Sequence, residues 1–311
     1  MPKLFAIGGA TVDLVGCPYK ALKYQDSNPG SVKLSFGGVA RNIAENATRC
    51  KIDVSLMALF GDDAFGKLCY QYCEDIGMDL SYSKILTNYR SATYLALLQS
   101  NGEMNCAIAD MEILNKLTKN DFDIGIQKMT ELDYCAIDTN LTVEVLEDLC
   151  QKIPARIAMD PISSQKAVKA KTILKHLSVF KPNLMEAELV CGFDIKDEKD
   201  IIKALDYLVM EGVKEPIITN GEKGVYMSNG IEKMHLYHDP VKTINTTGAG
   251  DAFLGVYLSY RLKGYNWIEA CEWGLCASYI TVQSEDTVLK TLSEETLKEV
   301  KSKLNIYRDV L

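Results

Sequence analysis

Asn245-Thr246-Thr247-Gly248-Ala249-Gly250-Asp251-Ala252-Phe253 places three small residues and an acid ahead of an apolar run through Leu254, Tyr257, Leu258 and Leu262. A helix starting there presents first-turn N–H groups that lack intrahelical partners, and glycines let an oxyanion approach the backbone closely. The pattern predicts an anion site on the backbone of Gly248, Ala249 and Gly250, suited to a phosphate. Asp251 opposes a bound anion unless it touches a hydroxyl about to react. In phosphoryl transfer such a carboxylate orients an alcohol and accepts its proton while backbone donors hold the transferring group. At a helix start it is expected to stay ionised. The plainer alternative is that Asp251 caps the helix and the glycines form a tight turn.

Two other glycine-rich stretches carry weaker phosphate signals. Gly61-Asp62-Asp63-Ala64-Phe65-Gly66-Lys67-Leu68 has the glycine and lysine spacing of a P-loop, but Leu68 stands where a Mg-binding hydroxyl is required. Two carboxylates would also face the phosphates, so the stretch reads as a strand-to-helix turn capped by Asp62 or Asp63. Gly8-Gly9 lacks the remaining spacing of a dinucleotide fingerprint.

The elements that must position these residues alternate. Lys3–Gly8, Asp53–Phe60, Leu132–Asp138, Arg156–Asp160 and Val179–Lys181 read as strands. Helical patterns run over Ala40–Cys50, Ala64–Gly77, Val143–Lys152, Lys166–His176, Met185–Cys191 and Lys199–Gly212. Strands at Pro216–Thr219, Gly224–Ser228 and Ile231–Leu236 precede closing helices at Ala252–Lys263, Trp267–Val282 and Glu294–Leu304. Such alternation predicts one α/β domain over residues 1–311, a mostly parallel sheet covered by helices on both faces. About 13–35 and 78–109 break the pattern with turn signals, including Ser27-Asn28-Pro29-Gly30 and Asn101-Gly102, around β-prone runs. Both should insert strands between a sheet strand and its next helix, forming a small β lid over a cleft. An edge extension used for homodimer contacts is the alternative, and the two can coexist.

The 311 residues carry 42 acidic and 34 basic side chains, a net charge of −8, with 47% apolar content. Disorder and general phosphate attraction to nucleic acid are both excluded by that balance. No stretch approaches the roughly 18–20 apolar residues of a spanning helix, so no membrane partner is expected and a cytoplasmic location is. The ten cysteines lack CxxC pairs and read as buried, reduced thiols. His235 and His238 read as structural, and Asn46-Ala47-Thr48 matches a glycosylation site by sequence only.

Thr247-Gly248-Ala249-Gly250-Asp251, together with Gly37-Gly38-Val39-Ala40-Arg41-Asn42 and Lys181-Pro182-Asn183-xx-Glu186, resembles the ribokinase-like family of sugar and nucleoside kinases in the order and separation of its signatures. The resemblance runs from about Phe5 to Gln283. It implies a Rossmann-like three-layer core with a β-sheet lid, and transfer of the ATP γ-phosphate to a primary hydroxyl. It implies Asp251 as catalytic base and Gly248, Ala249 and Gly250 as anion hole. Gly37, Gly38 and Asn42 would approach the sugar, with Asp13 and the neighbouring Thr11 at its hydroxyls. Asn183, Thr219, Gly221 and Gly224 would line the nucleotide, and Glu186 would hold Mg²⁺ through water. Read without the resemblance, Asn183 and Glu186 form a helix cap and its acid. Members activated by a monovalent cation usually have Asp where Asn245 stands, and losing that charge weakens any such cation site.

Asp26–Gly30, the Ser35–Asn46 segment and Ser91–Ala96 are similar to the pseudouridine kinase subgroup, implying a nucleoside acceptor phosphorylated on its 5′-hydroxyl. There Asn28 would reach the nucleoside from the lid, with Thr93 or Tyr94 near the base. A β-turn explains Ser27–Gly30 equally well. Another kinase of the same fold, or a non-catalytic sensor, are the competing readings.

Overall fold

The computed structural model describes residues 2–311. Its strands are β1 (Leu4–Ile7), β2 (Thr11–Pro18), β3 (Gly30–Gly37), β4 (Val54–Met57), β5 (Leu59–Gly61), β6 (Lys84–Leu86), β7 (Thr93–Leu98) and β8 (Met104–Asp110). There follow β9 (Tyr134–Asp138), β10 (Arg156–Asp160), β11 (Leu177–Phe180), β12 (Glu215–Thr219), β13 (Val225–Ser228), β14 (Lys233–His238) and β15 (Ile306–Val310). The main sheet runs β15-β14-β13-β12-β11-β10-β9-β1-β4. From β12 to β4 every pairing is parallel, and β13, β14 and β15 add antiparallel strands at one edge.

The helices are α1 (Val39–Arg49), α2 (Ala64–Asp75), α3 (Asp123–Ile126), α4 (Val143–Lys152), α5 (Ser164–Ala167), α6 (Leu184–Cys191), α7 (Glu198–Met210), α8 (Ala249–Leu262), α9 (Trp267–Thr281) and α10 (Glu294–Lys303). Alternate residues of β1 feed opposite layers, which is why the strand is apolar throughout. Leu4 and Ala6 belong to the core layer that includes α1, α8 and α9, whereas Phe5 and Ile7 belong to the layer that includes α4, α6 and α7. The α/β class, the mostly parallel sheet and the helices on both faces agree with the sequence reading. Among the described residues no helix is long and apolar enough to cross a membrane.

A separate sheet, β3-β2-β7-β8, is built from the two segments that break the alternation. The first lies between β1 and α1, as expected. The second follows a helix, α2, rather than a sheet strand, so only one excursion has the predicted placement. Asp53–Phe60 is not one strand either: β5 leaves the main sheet and pairs with β6. Lys166–His176 forms α5 and two 3₁₀ turns instead of one helix. β-Branched Val168, Thr172 and Ile173 disfavour its continuation, and Lys169 is drawn away to the carbonyls of Thr139 (2.9 Å) and Leu141 (2.8 Å). Strand β15 was not expected; it pairs with β14 and stacks Tyr307 on Tyr237.

Asp63 caps α2, accepting from Gly66 N–H at 2.8 Å, and also holds Ser91 N–H and Oγ. The P-loop-like stretch is therefore a capped turn tied to the base of β7. Eight cysteines are buried as expected, but Cys106 is exposed and Cys17 half-buried, because both lie on the thin small sheet. Asn46 is fully buried, so its glycosylation match is sterically void.

Candidate active site

Helix α8 starts at Ala249, with Gly248 as its N-cap, three residues earlier than the apolar pattern suggests, which puts Asp251 inside its first turn. Gly248 sits in the left-handed region at φ 85°, and a Cβ there would lie 1.9 Å from the Thr287 carbonyl oxygen. Only glycine fits. The N–H groups of Gly248, Gly250 and Asp251 find no acceptor among the described residues. Ala249 departs from expectation: its N–H donates to the Thr246 carbonyl at 3.3 Å and its carbonyl accepts from Ser278 Oγ. The free donors of the turn are thus Gly248, Gly250 and Asp251.

Gly38 starts α1 at φ 94°, where a Cβ would stand 2.2 Å from the Gly9 carbonyl oxygen. Buried Asp138 fixes this junction by accepting from Gly9 N–H (2.9 Å) and from Ala40 N–H (3.2 Å). Helices α1 and α8 then approach closely because Gly255 has no side chain; a Cβ there would be 2.7 Å from the Ile43 carbonyl oxygen. The approach brings Asn42 Nδ2 to donate to Asp251 Oδ2 at 2.7 Å. Arg41, only 1% exposed, donates to the carbonyls of Gly37 (2.9 Å) and Phe36 (2.6 Å), to Glu45 and to Asn42 Oδ1. With its oxygen engaged by Arg41, the Asn42 amide must turn its N–H₂ toward Asp251. Asn42 therefore orients the carboxylate directly. Sequence reasoning missed Arg41, Asp138 and Gly255; their signal was only proximity to the glycine motifs.

A cavity of about 530 Å³ opens beside this turn, within the range of small-molecule sites. Gly248, Ala249, Gly250, Asp251, Asn183, Glu186, Thr219, Gly221 and Gly224 all line it, so one space gathers two groups of candidates predicted separately. Asn183 and Glu186 do form a reciprocal capping box on α6, so the structural alternative is also realised. Gly224, at φ 84°, packs a would-be Cβ 2.2 Å from the Leu236 carbonyl oxygen, whereas Gly221 faces open space. Lys181 and Asp160, which the sequence reading did not assign, pair at 2.8 Å on the same wall.

The remaining candidates lie on the small sheet. Thr11 donates to Asp13 at 3.0 Å, and a Cβ on Gly37 would strike Asp13 at 2.3 Å, so these three share one face. Tyr94 is in register with Asp13, but Thr93 is in register with buried Val12 and so belongs to the opposite face. Thr93 borders instead a hollow with Asp63, Phe65, Arg90 and Ile108. Asn28 spends its amide on its own loop, accepting from Lys23 N–H and donating to the carbonyls of Lys23 and Asp26. Neither Thr93 nor Asn28 is brought to Asp251.

Burial, then the charge of Asp160, raise the Asp251 carboxyl to about 7, against the opposing effects of Asn42, Lys181 and Arg41. The expectation that a helix start alone keeps it ionised is corrected by its burial: it is 7% exposed. A carboxyl with this value is half-ionised near neutrality, which suits a proton acceptor. If Asp251 acts as a base in its ionised form, kcat/KM should rise tenfold per pH unit below about 7 and level off above it. A profile flat between pH 5.5 and 8 contradicts this.

Residues 1–294 match the family described as pfkB family carbohydrate kinase. The pseudouridine kinase of Escherichia coli (strain K12) is 30% identical over 286 residues, covering 90% of each chain. A carbohydrate kinase from Agrobacterium tumefaciens superposes with a TM-score of 0.86 at 26% identity, covering 99% of this chain and 100% of that one. The Arabidopsis thaliana ribokinase complexed with ribose and ATP shares the fold at a TM-score of 0.84 and 18% identity, covering 96% and 98%.

Proposed function

The chain belongs to the pfkB family of carbohydrate kinases, and from that premise we propose that it transfers the γ-phosphate of ATP to the 5′-hydroxyl of pseudouridine. The observation that carries the kinase chemistry is the Asp251 carboxylate, held by Asn42 beside three unpartnered amides at the mouth of a cavity. On this reading ATP occupies that cavity, its γ-phosphate against the amides of Gly248, Gly250 and Asp251. The acceptor enters from the Asp13 side, with its ribose hydroxyls toward Asp13 and Gly37. Asp251 takes the proton of the attacking hydroxyl as the new O–P bond forms and ADP leaves.

Among the described residues no three His, Cys, Asp or Glu side chains converge as a metal-ligand set. Glu186 and Asp160 both line the cavity, and this acidic wall suits Mg²⁺ held through its water shell. When bound, Mg²⁺ supplies charge neutralisation on the phosphates.

Pseudouridine as acceptor is supported by the similarity to the Escherichia coli enzyme of that name and by the Asp26–Gly30 and Ser35–Asn46 segments. A homodimer through the small sheet is supported by its exposed apolar face, where Val32 is 75% and Ile108 66% exposed. The second reading, another sugar or nucleoside kinase, is favoured by the loss of Asn28 and Thr93 from the site as placed here. ADP release measured with pseudouridine, uridine, guanosine, ribose and fructose separates them. Pseudouridine is expected to exceed uridine in kcat/KM by at least about 10²-fold, because a buried acceptor for its extra ring N–H would be left unpaired by uridine. Equal values for the two, or preference for a free sugar, would reject it.

A further inference from the structure

Adjacent parallel strands β10 and β11 end at the cavity, and each delivers one charge: Asp160 from the first and Lys181 just after the second. Their ion pair is 2.8 Å long and the two side chains are 5% and 9% exposed. Such a pair is a poor choice for stability alone, since apolar residues of similar size usually serve as well or better. Its placement is specific. A methyl group built on Gly250 would come within 3.0 Å of Lys181 Nζ, so the ammonium stands directly across from the amide turn. The second Asp160 oxygen accepts from Ile162 N–H at 2.9 Å, with Ile162 at φ 68°, a conformation β-branched residues rarely adopt. The backbone thus accepts strain where it fixes the carboxylate that aims the lysine. Among the cavity-lining residues Lys181 is the one Lys or Arg, and the acids near it are Asp160, Glu186 and Asp251.

We propose that Lys181, aimed by Asp160, is a catalytic contact for the phosphoryl group in flight, binding its oxygens from the side opposite the free amides. This rests on the kinase reading above. The O–P bond to the acceptor forms as the P–O bond to ADP breaks; the electron pair leaves on the ADP oxygen and the hydroxyl proton goes to Asp251. Lys181 neither gives nor takes a proton. Its fixed charge stabilises the negative charge spread over the transferring oxygens.

Lys181→Gln keeps an N–H donor for Asp160, and Lys181→Met with Asp160→Asn replaces the pair by neutral groups of similar size. For each, thermal unfolding, the Kd for ATP and the steady-state constants with the alcohol that the wild type phosphorylates should be measured. Both variants are expected to fold and to bind ATP within about tenfold of wild type, with kcat lowered about 10²–10³-fold and acceptor KM within about threefold. A kcat within about fivefold of wild type in either folded variant overturns the assignment and leaves the pair structural. Wild-type protein that releases no ADP with any alcohol sinks the kinase reading itself, so the two failures are distinguishable.

Discussion

Asp251→Asn is expected to lower kcat by about 10²–10⁴-fold while acceptor and ATP still bind, because it removes the proton acceptor and keeps the shape. The same substitution should stabilise the fold. A carboxyl raised from 3.8 to about 7 favours its protonated form in the folded state. The folded protein therefore bears no cost from it below about pH 3.8, a growing cost up to about 7, and the whole cost above that. Fully ionised, the group costs on the order of 4 kcal/mol, which the amide avoids. Thermal unfolding should accordingly show Tm for the variant above that of wild type by several °C at pH 8, the gap narrowing toward pH 5. Near-normal turnover would remove Asp251 from the chemistry, and an unchanged Tm at pH 8 would mean that the carboxylate is better solvated than its burial indicates.

Gly248→Ala and Gly250→Ala should separate, although the residues lie two apart. At Gly248 alanine must adopt a left-handed conformation and meet a backbone oxygen at 1.9 Å. Loss of about 2–4 kcal/mol of stability is expected, together with a kcat reduced at least 10²-fold as the turn shifts its amides. At Gly250 the backbone is ordinary helix, and the nearest atom, at 3.0 Å, is the terminal Nζ of Lys181, which need give by only a few tenths of an ångström. Alanine there should leave the urea midpoint equal to or above wild type, since alanine gains up to about 1 kcal/mol over glycine in a helix. Its methyl nevertheless occupies the space between amide and ammonium, so kcat should still fall by at least about 10²-fold. An active Gly250→Ala protein would place the transferring phosphate elsewhere.

The layered architecture was legible in the sequence because buried parallel strands are short apolar runs and their helices carry clear stop signals. Val143–Lys152 and Arg156–Asp160 have the predicted bounds. The ends of short elements were not legible. Strand β15 owes its place to cross-strand partners such as His238 and Tyr237, which no local pattern encodes. At the site, glycines announced the turn, since a backbone that must approach a neighbour leaves a mark in residue type. The roles of Arg41, Lys181 and Asp160 were hidden because charged residues usually signify surface, and only tertiary packing makes these three buried. Thr93 and Tyr94 show the same limit: which of the two shares the Asp13 face follows from register with β2, fixed by pairing rather than by either residue.

The hydrogen bond from Asn42 to Asp251 joins positions 209 apart along the chain. A ribosome adding about 5–20 residues per second needs on the order of 10–40 s to travel that distance. Throughout that interval the emerging polypeptide carries Asn42 on a helix whose partner α8 does not yet exist. Competence for chemistry thus waits for α8, and a product terminated before Asp251 lacks the proton acceptor altogether.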